Sequence, residues 1–218
     1  MPSKRLHLAV VVSPLFEENA YIAYLEGRSD CLIFDPGLDA EAIIDKLDEL
    51  HLEPAAILNT HGHADHIAGN GAIKRRWPAA PLVIGAKDAS KLTSPIENLS
   101  RGYGIDLISP AADRLVKEGE LYSGAGIDLE VYETPGHSVG HVVFIWKAGS
   151  PWVVFGGDVL FQGSIGRTDF PDGSFEQLAD AIRNKLYILP DDTLVLPGHG
   201  PTTTIGFEKQ YNPFVPAL

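Results

Sequence analysis

The run Asn59-Thr60-His61-Gly62-His63-Ala64-Asp65-His66 constrains this chain more than any other stretch, because it sets three imidazoles and a carboxylate within six residues, His61 to His66. The apolar segment Ala55-Ala56-Ile57-Leu58 leads straight into it, so the cluster falls where a buried strand ends. Folding alone has no use for such crowding, since each polar group buried without a partner costs on the order of 2–7 kcal/mol. A polar loop whose histidines face water is the bland explanation. Imidazole beside carboxylate is, however, the ligand set of a metal such as zinc, iron or manganese.

Three further segments repeat the pattern of an apolar strand running into a Gly-rich turn: Thr134-Pro135-Gly136-His137, Phe155-Gly156-Gly157-Asp158 and Pro197-Gly198-His199-Gly200. Each is weak alone, because a single His after a turn is more often solvated or hydrogen-bonded than a ligand. Together with the first cluster they supply five imidazoles and two carboxylates, enough for two ions with open coordination positions. His61 and His63, two apart in an extended turn, can point the same way. Asp65 and His66 come where the next helix starts and should face a neighbouring position. This spacing assigns one ion to His61, His63 and His137, and a second to Asp65, His66 and His199, with Asp158 bridging.

At 218 residues and 44% hydrophobic, the chain can bury a full core as one domain over 1–218, and no linker divides it. The formal net charge of −12 argues against a nucleic-acid partner and against an anionic membrane surface, since both draw affinity from clustered Lys and Arg. Cys31 is the only cysteine, which excludes an intrachain disulfide and a thiolate cluster and fits a reducing cytoplasm. Lys4-Arg5 before Leu6–Phe16 superficially resembles a secretion signal, but His7 and Pro14 interrupt the run and Glu17-Glu18 follow it. No segment approaches the roughly 20 apolar residues that span a bilayer.

Short β-branched or aromatic runs predict strands over Leu6–Val12, Ala20–Leu25 and Cys31–Phe34, in an antiparallel meander. Further strands are predicted at 55–58, 81–84, 115–117, 128–133, 141–146, 152–155 and 193–196. Helical spacing predicts a helix over Ala40–Leu50 with Asp39 as N-cap, another over Ile67–Trp77 ended by Pro78, and a third opening at the capping box Ser174–Gln177 and running to about Leu186. From Lys87 to Asp113 the pattern dissolves, and an irregular segment of that length inside a domain is often functional. The element order fits a pair of sheets between helices better than a doubly wound parallel sheet.

These motifs resemble the metallo-β-lactamase superfamily, whose His-x-His-x-Asp-His hallmark stands here as His61-Gly62-His63-Ala64-Asp65-His66, with His137, Asp158 and His199 matching the later ligands in order and context. The resemblance covers nearly the whole chain and implies an α/β (α+β) fold, the αββα sandwich. Within the superfamily the chain is most similar to short single-domain bacterial type II glyoxalases, the hydroxyacylglutathione hydrolases. That likeness rests on Gly163-Ser164-Ile165-Gly166-Arg167-Thr168-Asp169-Phe170-Pro171, on Pro197–Thr204 and on Tyr211-Asn212-Pro213-Phe214. The longer glyoxalases add a C-terminal helical domain that helps hold glutathione, and the tail after His199 is too short to be one.

The resemblance implies a metal-dependent hydrolase of small-molecule thioesters such as S-lactoylglutathione. It would use two divalent ions, zinc first and iron or manganese next. A bound water acidified from pKa 15.7 to about 7 would supply hydroxide, with Asp65 and Asp158 as the catalytic carboxylates. Arg167, Tyr103 and Lys209 are candidate substrate contacts, with Arg101 beside them, although an Arg167–Asp169 pair bracing the Asp158 loop is the stronger expectation for Arg167. His141 is expected behind the ligands, Asn19 and Tyr21 near the site or merely in strand packing, and His7 and His51 on the surface. Rival readings are a persulfide dioxygenase with one iron, a hydrolase of lactones or other esters, and a non-catalytic scaffold; the intact ligand set argues against the last.

Overall fold

The structure, a computed structural model, describes residues 5–217. Lys4, half of the signal-like pair, and the 1–218 domain limits lie outside them.

The first sheet has six strands in the order β1 (Leu6–Val12), β2 (Asn19–Leu25), β3 (Asp30–Phe34), β4 (Glu53–Asn59), β5 (Leu82–Gly85) and β6 (Arg114–Val116). The first three strands pair antiparallel and the last four parallel, so the sheet is mixed. Helices α1 (Ala40–Leu50), α2 (Ala64–Ile67) and α3 (Asn70–Arg76) belong to this half. The second sheet takes β7 (Leu121–Gly124), β8 (Ile127–Glu133), β9 (Val142–Trp146), β10 (Val153–Gly157), β13 (Leu194–Pro197) and β14 (Thr203–Thr204) in the order β14-β13-β10-β9-β8-β7. A separate hairpin, β11 (Leu160–Phe161) with β12 (Ser164–Ile165), follows β10, α4 (Phe175–Ala181) and α5 (Ile205–Tyr211) come later, and the segment expected to be irregular from Lys87 holds 3₁₀ helices over Ala86–Thr93 and Ser100–Tyr103.

Alternation along the strands explains the layering, because successive side chains leave opposite faces of a sheet. Leu32, Phe34, Leu58 and Val83 point inward and meet Leu129, Val131, Phe144 and Phe155 of the other sheet. The Phe34 and Phe155 rings stack across that core at 3.7 Å. Cys31, Ile33, Ile57 and Ile84 point outward onto Ile43, Leu47, Ile67 and Ile73 of the first helices. Val143, Ile145 and Val195 do the same with Leu178, Ile182 and Ile205. Strands buried on both faces need continuous apolar runs, which is what 31–34, 55–58 and 142–146 supply. Three apolar layers alternate with four structural ones, and the result is an αββα sandwich.

Helix α1 has the predicted limits, with Asp39 accepting from the Ala42 amide at 3.2 Å. The helix predicted over Ile67–Trp77 is instead broken into α2 and α3. Gly69 interrupts it: its amide donates to the Pro36 carbonyl at 2.7 Å, and a Cβ there would stand 2.8 Å from the carbonyl oxygens of both Pro36 and Gly37. The Ser174 hydroxyl caps α4 by accepting from the Gln177 amide, and the helix then widens into a π turn over Ile182–Leu186. Among the described residues no helix is long and apolar enough to cross a membrane.

Strand direction places the site. β4 runs parallel to its neighbours, β10 runs parallel to β13, and β8 and β10 both oppose β9. The C-terminal ends of β8, β10 and β13 therefore share one edge of their sheet. The Val142 amide, donating to the Thr60 carbonyl at 2.8 Å, joins that edge to the end of β4. All four motif-bearing turns meet there.

Candidate metal centre

His61 leaves β4 as the chain turns. His63 sits in extended conformation at the N-cap of α2, while Asp65 and His66 occupy its first turn. This turn separates the motif into two directions, and two donor groups result. His61, His63 and His137 each bring a nitrogen within 4.8 Å of the others, and so do the donors of Asp65, His66 and His199. His63 Nδ1 lies 2.9 Å from His137 Nε2, although 74 positions separate the two in sequence. Asp158 stands between the groups: Oδ1 is 3.4 Å from His66 Nε2, and Oδ2 is 3.5 Å from both His137 Nε2 and His199 Nε2. Gly198 leaves the space this requires, since a Cβ there would collide with Asp158 Oδ1 and stand 2.6 Å from His66 Cε1.

The donors fit a cation. Nε2 of His61 and His66 and Oδ1 of Asp158 are buried without hydrogen-bond partners, and His63 turns its Nδ1 toward His137 Nε2. Unpaired polar atoms of this kind cost about 1–3 kcal/mol each, a penalty that coordination removes. Nitrogen and carboxylate donors without thiolate suit zinc, iron or manganese.

Four of the five imidazoles are oriented from behind, through the nitrogen that the site does not use. His137 Nδ1 donates to the Arg167 carbonyl at 2.8 Å and His199 Nδ1 to the Phe16 carbonyl at 2.9 Å. His61 Nδ1 meets Thr60 Oγ1 at 3.0 Å, and His66 Nδ1 meets Asp35 Oδ2 at 3.2 Å. Asn19 and Tyr21 clamp the turn bearing His199. Asn19 Nδ2 donates to the Pro197 and Gly200 carbonyls, and the Tyr21 hydroxyl donates to the Pro197 carbonyl at 2.9 Å. His141 is fully buried behind the centre; its Nε2 accepts from the Asp158 amide at 3.1 Å and its Nδ1 donates to Thr134 Oγ1.

Charge divides the two donor groups. Burial, reinforced by neighbouring imidazoles, pushes His61 and His63 well below the usual imidazole range, and burial also lowers His137. Burial opposes protonation of His66 too, but the carboxylates of Asp158 and Asp65 outweigh it and raise that imidazole. His199 is raised likewise, burial being outweighed by its hydrogen bond to Asp65 and by Asp158. Burial would raise Asp158, yet His66, His137 and His199 hold its carboxyl far below the ordinary range.

Sequence reasoning missed two carboxylates that build the site. Asp35 adopts φ 46 in the Asp35-Pro36-Gly37 turn after β3, a conformation that Asp tolerates better than most residues. There it accepts from the Thr60 amide and hydroxyl, each at 2.7 Å. Its signal was available, because this turn repeats the strand-then-glycine context of the other motifs. Asp88, fully buried, accepts from the Gly62 amide at 2.9 Å, the Gly140 amide at 2.7 Å and the Ser138 hydroxyl. Lys91 lies beside it, donating to Ser138 Oγ at 2.7 Å and Asp172 at 2.6 Å. These two residues, both in the 3₁₀ helix over Ala86–Thr93, thus grip the turns carrying His63 and His137, and nothing in the sequence marks them.

The centre opens into a cavity of about 350 Å³, lined by His63, Asp65, His137, Asp158 and His199 and walled by Leu15, Phe16, Leu38, Phe161, Ile165 and Phe170. The segment from 87 to 113 contributes another wall, including Leu99, Tyr103, Ile105 and Leu107. Of the residues expected to reach substrate, Tyr103 and Arg167 line the cavity; Arg167 is forked onto Asp169 with both contacts at 2.9 Å. Lys209 does not line it. The lysine sits on α5 with its amine on Asp191 and the Leu189 carbonyl, which withdraws it as a substrate contact. Arg101 pairs with Asp106 on the surface. His51 ends α1 in an exposed left-handed turn, whereas His7 is half-buried and stacked on Tyr24, not a plain surface residue.

Two mixed sheets between helices, with nitrogen and carboxylate donors gathered at their common edge, define a metallohydrolase sandwich. Residues 15–199 match the Metallo-beta-lactamase superfamily, and the chain belongs to it. It is similar to the hydroxyacylglutathione hydrolase GloC of Haemophilus influenzae, at 38% identity over 214 residues that cover 96% of this chain and 98% of that protein. Among solved structures it is similar to the BLEG-1 B3 metallo-beta-lactamase, with a TM-score of 0.91 and 38% identity over 96% of this chain and 99% of that one. It is also similar to TTHA1623 in a di-iron-bound form, with a TM-score of 0.84 and 33% identity over 94% and 99% of the two chains.

Proposed function

We propose that this protein is a thioester hydrolase working with two divalent ions, zinc first and iron or manganese next, in a reducing cytoplasm that the single buried Cys31 suits. The observation that carries this reading is Asp158, whose oxygens lie within 3.5 Å of nitrogens from both donor groups. His61, His63 and His137 would hold one ion and Asp65, His66 and His199 the other, with Asp158 shared. When bound, such ions acidify water and polarise a carbonyl. Asp65, half-buried in the cavity lining, would accept a hydrogen bond from the attacking water and so fix its direction. His141 and Asp35 keep Asp158 and His66 from turning away. A departing thiolate, with a thiol pKa near 8.5, needs no strong acid, and the resemblance to GloC makes S-acylglutathiones the first thioesters to try.

The test uses protein of measured metal content, offered S-lactoylglutathione beside other thioesters, a lactone and a β-lactam. Metal-dependent thioester cleavage exceeding the other classes is the expected result. Oxygen consumption with glutathione persulfide by a single-iron form, in place of hydrolysis, would replace this reading with the dioxygenase one.

Acid should empty the two donor groups in order. A group whose pKa is raised takes up its proton at higher pH, so protons compete first for His66 and His199 and only later for the lowered His61, His63 and His137. Metal content followed through stepwise acid dialysis should therefore fall in two stages, and the ion held by His61, His63 and His137 should leave last. Loss of all metal in one step would contradict the assignment.

A further inference from the structure

Resting on the thioester reading, we infer that the substrate groups flanking the scissile carbonyl are apolar and uncharged: the site takes aliphatic or aromatic acyl chains and does not recognise the carboxylates of glutathione. The cavity walls come from four separate parts of the chain. Phe16 stands in the turn before β2, Leu38 follows the Asp35 turn, Ile105 and Leu107 belong to the segment from 87 to 113, and Ile165 lies in strand β12 of the small hairpin with Phe170 just after it. Such convergence is no by-product of one core layer. Leu38, Tyr103 and Ile105 remain 37%, 62% and 55% exposed at this mouth, an arrangement that favours an apolar ligand over water.

Charge points the same way. Glutathione carries two carboxylates and an ammonium, and carboxylates are recognised by Arg or Lys in forked or paired geometry. Among the described residues lining the cavity, Arg167 is the only Lys or Arg, and it is forked onto Asp169 while lying 4.7 Å over the Phe170 ring. Arg101, on the segment from 87 to 113, is held by Asp106 at 2.9 Å. Lys91 is buried against Asp172 and Ser138. Each of these exposed arginines already carries an aspartate, so a substrate carboxylate would share a neutralised guanidinium and gain less than it would from an unpaired one. The net charge of −12 adds a field that does not draw anions in.

The experiment compares kcat/KM of the metal-loaded full chain for lactoyl, butyryl and hexanoyl thioesters of two thiols, glutathione and neutral N-acetylcysteamine. Each added methylene should raise kcat/KM about fourfold until the cavity is filled, the ratio that corresponds to ~0.8 kcal/mol per buried CH₂. The two thiols should agree within about threefold, a difference smaller than one methylene makes. Ile105→Lys, at an exposed rim position, should lower the hexanoyl-to-lactoyl ratio with either thiol and raise the glutathione-to-N-acetylcysteamine ratio for any one acyl group. A preference of about tenfold or more for S-lactoylglutathione, over either its butyryl counterpart or the lactoyl thioester of N-acetylcysteamine, would overturn the inference. Calorimetry with the non-hydrolysable S-hexyl and S-methyl thioethers of N-acetylcysteamine separates the two levels. Tighter binding of the S-hexyl compound without cleavage of any thioester leaves the apolar cavity standing and removes the thioester reading. Cleavage with a flat chain-length series does the reverse.

Discussion

His63→Ala and Asp158→Ala are each expected to lower kcat/KM by roughly 10³-fold or more while the protein stays folded, since several kcal/mol of metal-dependent transition-state stabilisation is at stake and each 1.36 kcal/mol is tenfold. His63 supplies the nitrogen that lies 2.9 Å from His137 Nε2, and among the described residues Asp158 is the only carboxylate within 3.5 Å of nitrogens from both donor groups. Neither side chain closes a hydrogen bond outside the donor cluster: His63 reaches only His137, through Nδ1, and Asp158 Oδ1 is an unpaired buried atom. The Asp158 backbone stays tied to His141 Nε2 in the alanine variant. Metal content, circular dichroism and thioester turnover measured on the same preparations decide the matter. Near-native turnover by Asp158→Ala would remove the shared carboxylate from the mechanism.

Asp88→Ala should bring the largest loss of stability, about 3–5 kcal/mol, because it deletes a buried carboxylate shared by three donors and leaves the buried Lys91 amine with Asp172 as its one carboxylate. Lys91 is 4% exposed and Asp88 is fully buried, so water cannot replace the missing oxygens. The amides of Gly62 and Gly140 and the Ser138 hydroxyl would all lose their acceptor. For a chain of this size such a loss lowers the melting temperature by roughly 10 °C, at about 2–4 °C per kcal/mol. Melting in the presence of a chelator isolates this term from metal binding. Metal affinity should drop as well, by about 10–100-fold, as for other partners that orient ligands. Asp88→Asn keeps one acceptor and should fall between the two. A loss under about 1 kcal/mol for Asp88→Ala would mean that Lys91 is satisfied by Asp172 alone.

Much of the fold was legible because local chemistry and tertiary demand agree. Helix α1 starts and stops as predicted because Asp39 caps it and its apolar residues recur at helical spacing. The strands at 6–12, 31–34 and 55–58 are apolar runs bounded by turn residues, and runs of that kind have few alternatives. The break at Gly69 escaped notice because it answers to the carbonyls of Pro36 and Gly37, some thirty positions earlier. Strand β7 and the hairpin of β11 and β12 are short, and helix α5 carries Phe207 and Tyr211 exposed, so none shows a clean period. Lys209 was misplaced for a related reason: its neighbours in sequence say nothing of Asp191, which claims its amine.

The cluster His61-Gly62-His63-Ala64-Asp65-His66, with His137, Asp158 and His199, by itself marked a candidate metal site of nitrogen and oxygen donors, because ligand chemistry resides in residue types and in spacing along one turn. Strand order decided the rest. Only the pairing of β10 with β13 and the seam between β4 and β9 bring His137, Asp158 and His199 to the first cluster. Only burial distinguishes Asp35 and Asp88 from the many aspartates that face water. Contacts between residues far apart in the chain depend on which strands pair, and a carboxylate's role depends on what surrounds it.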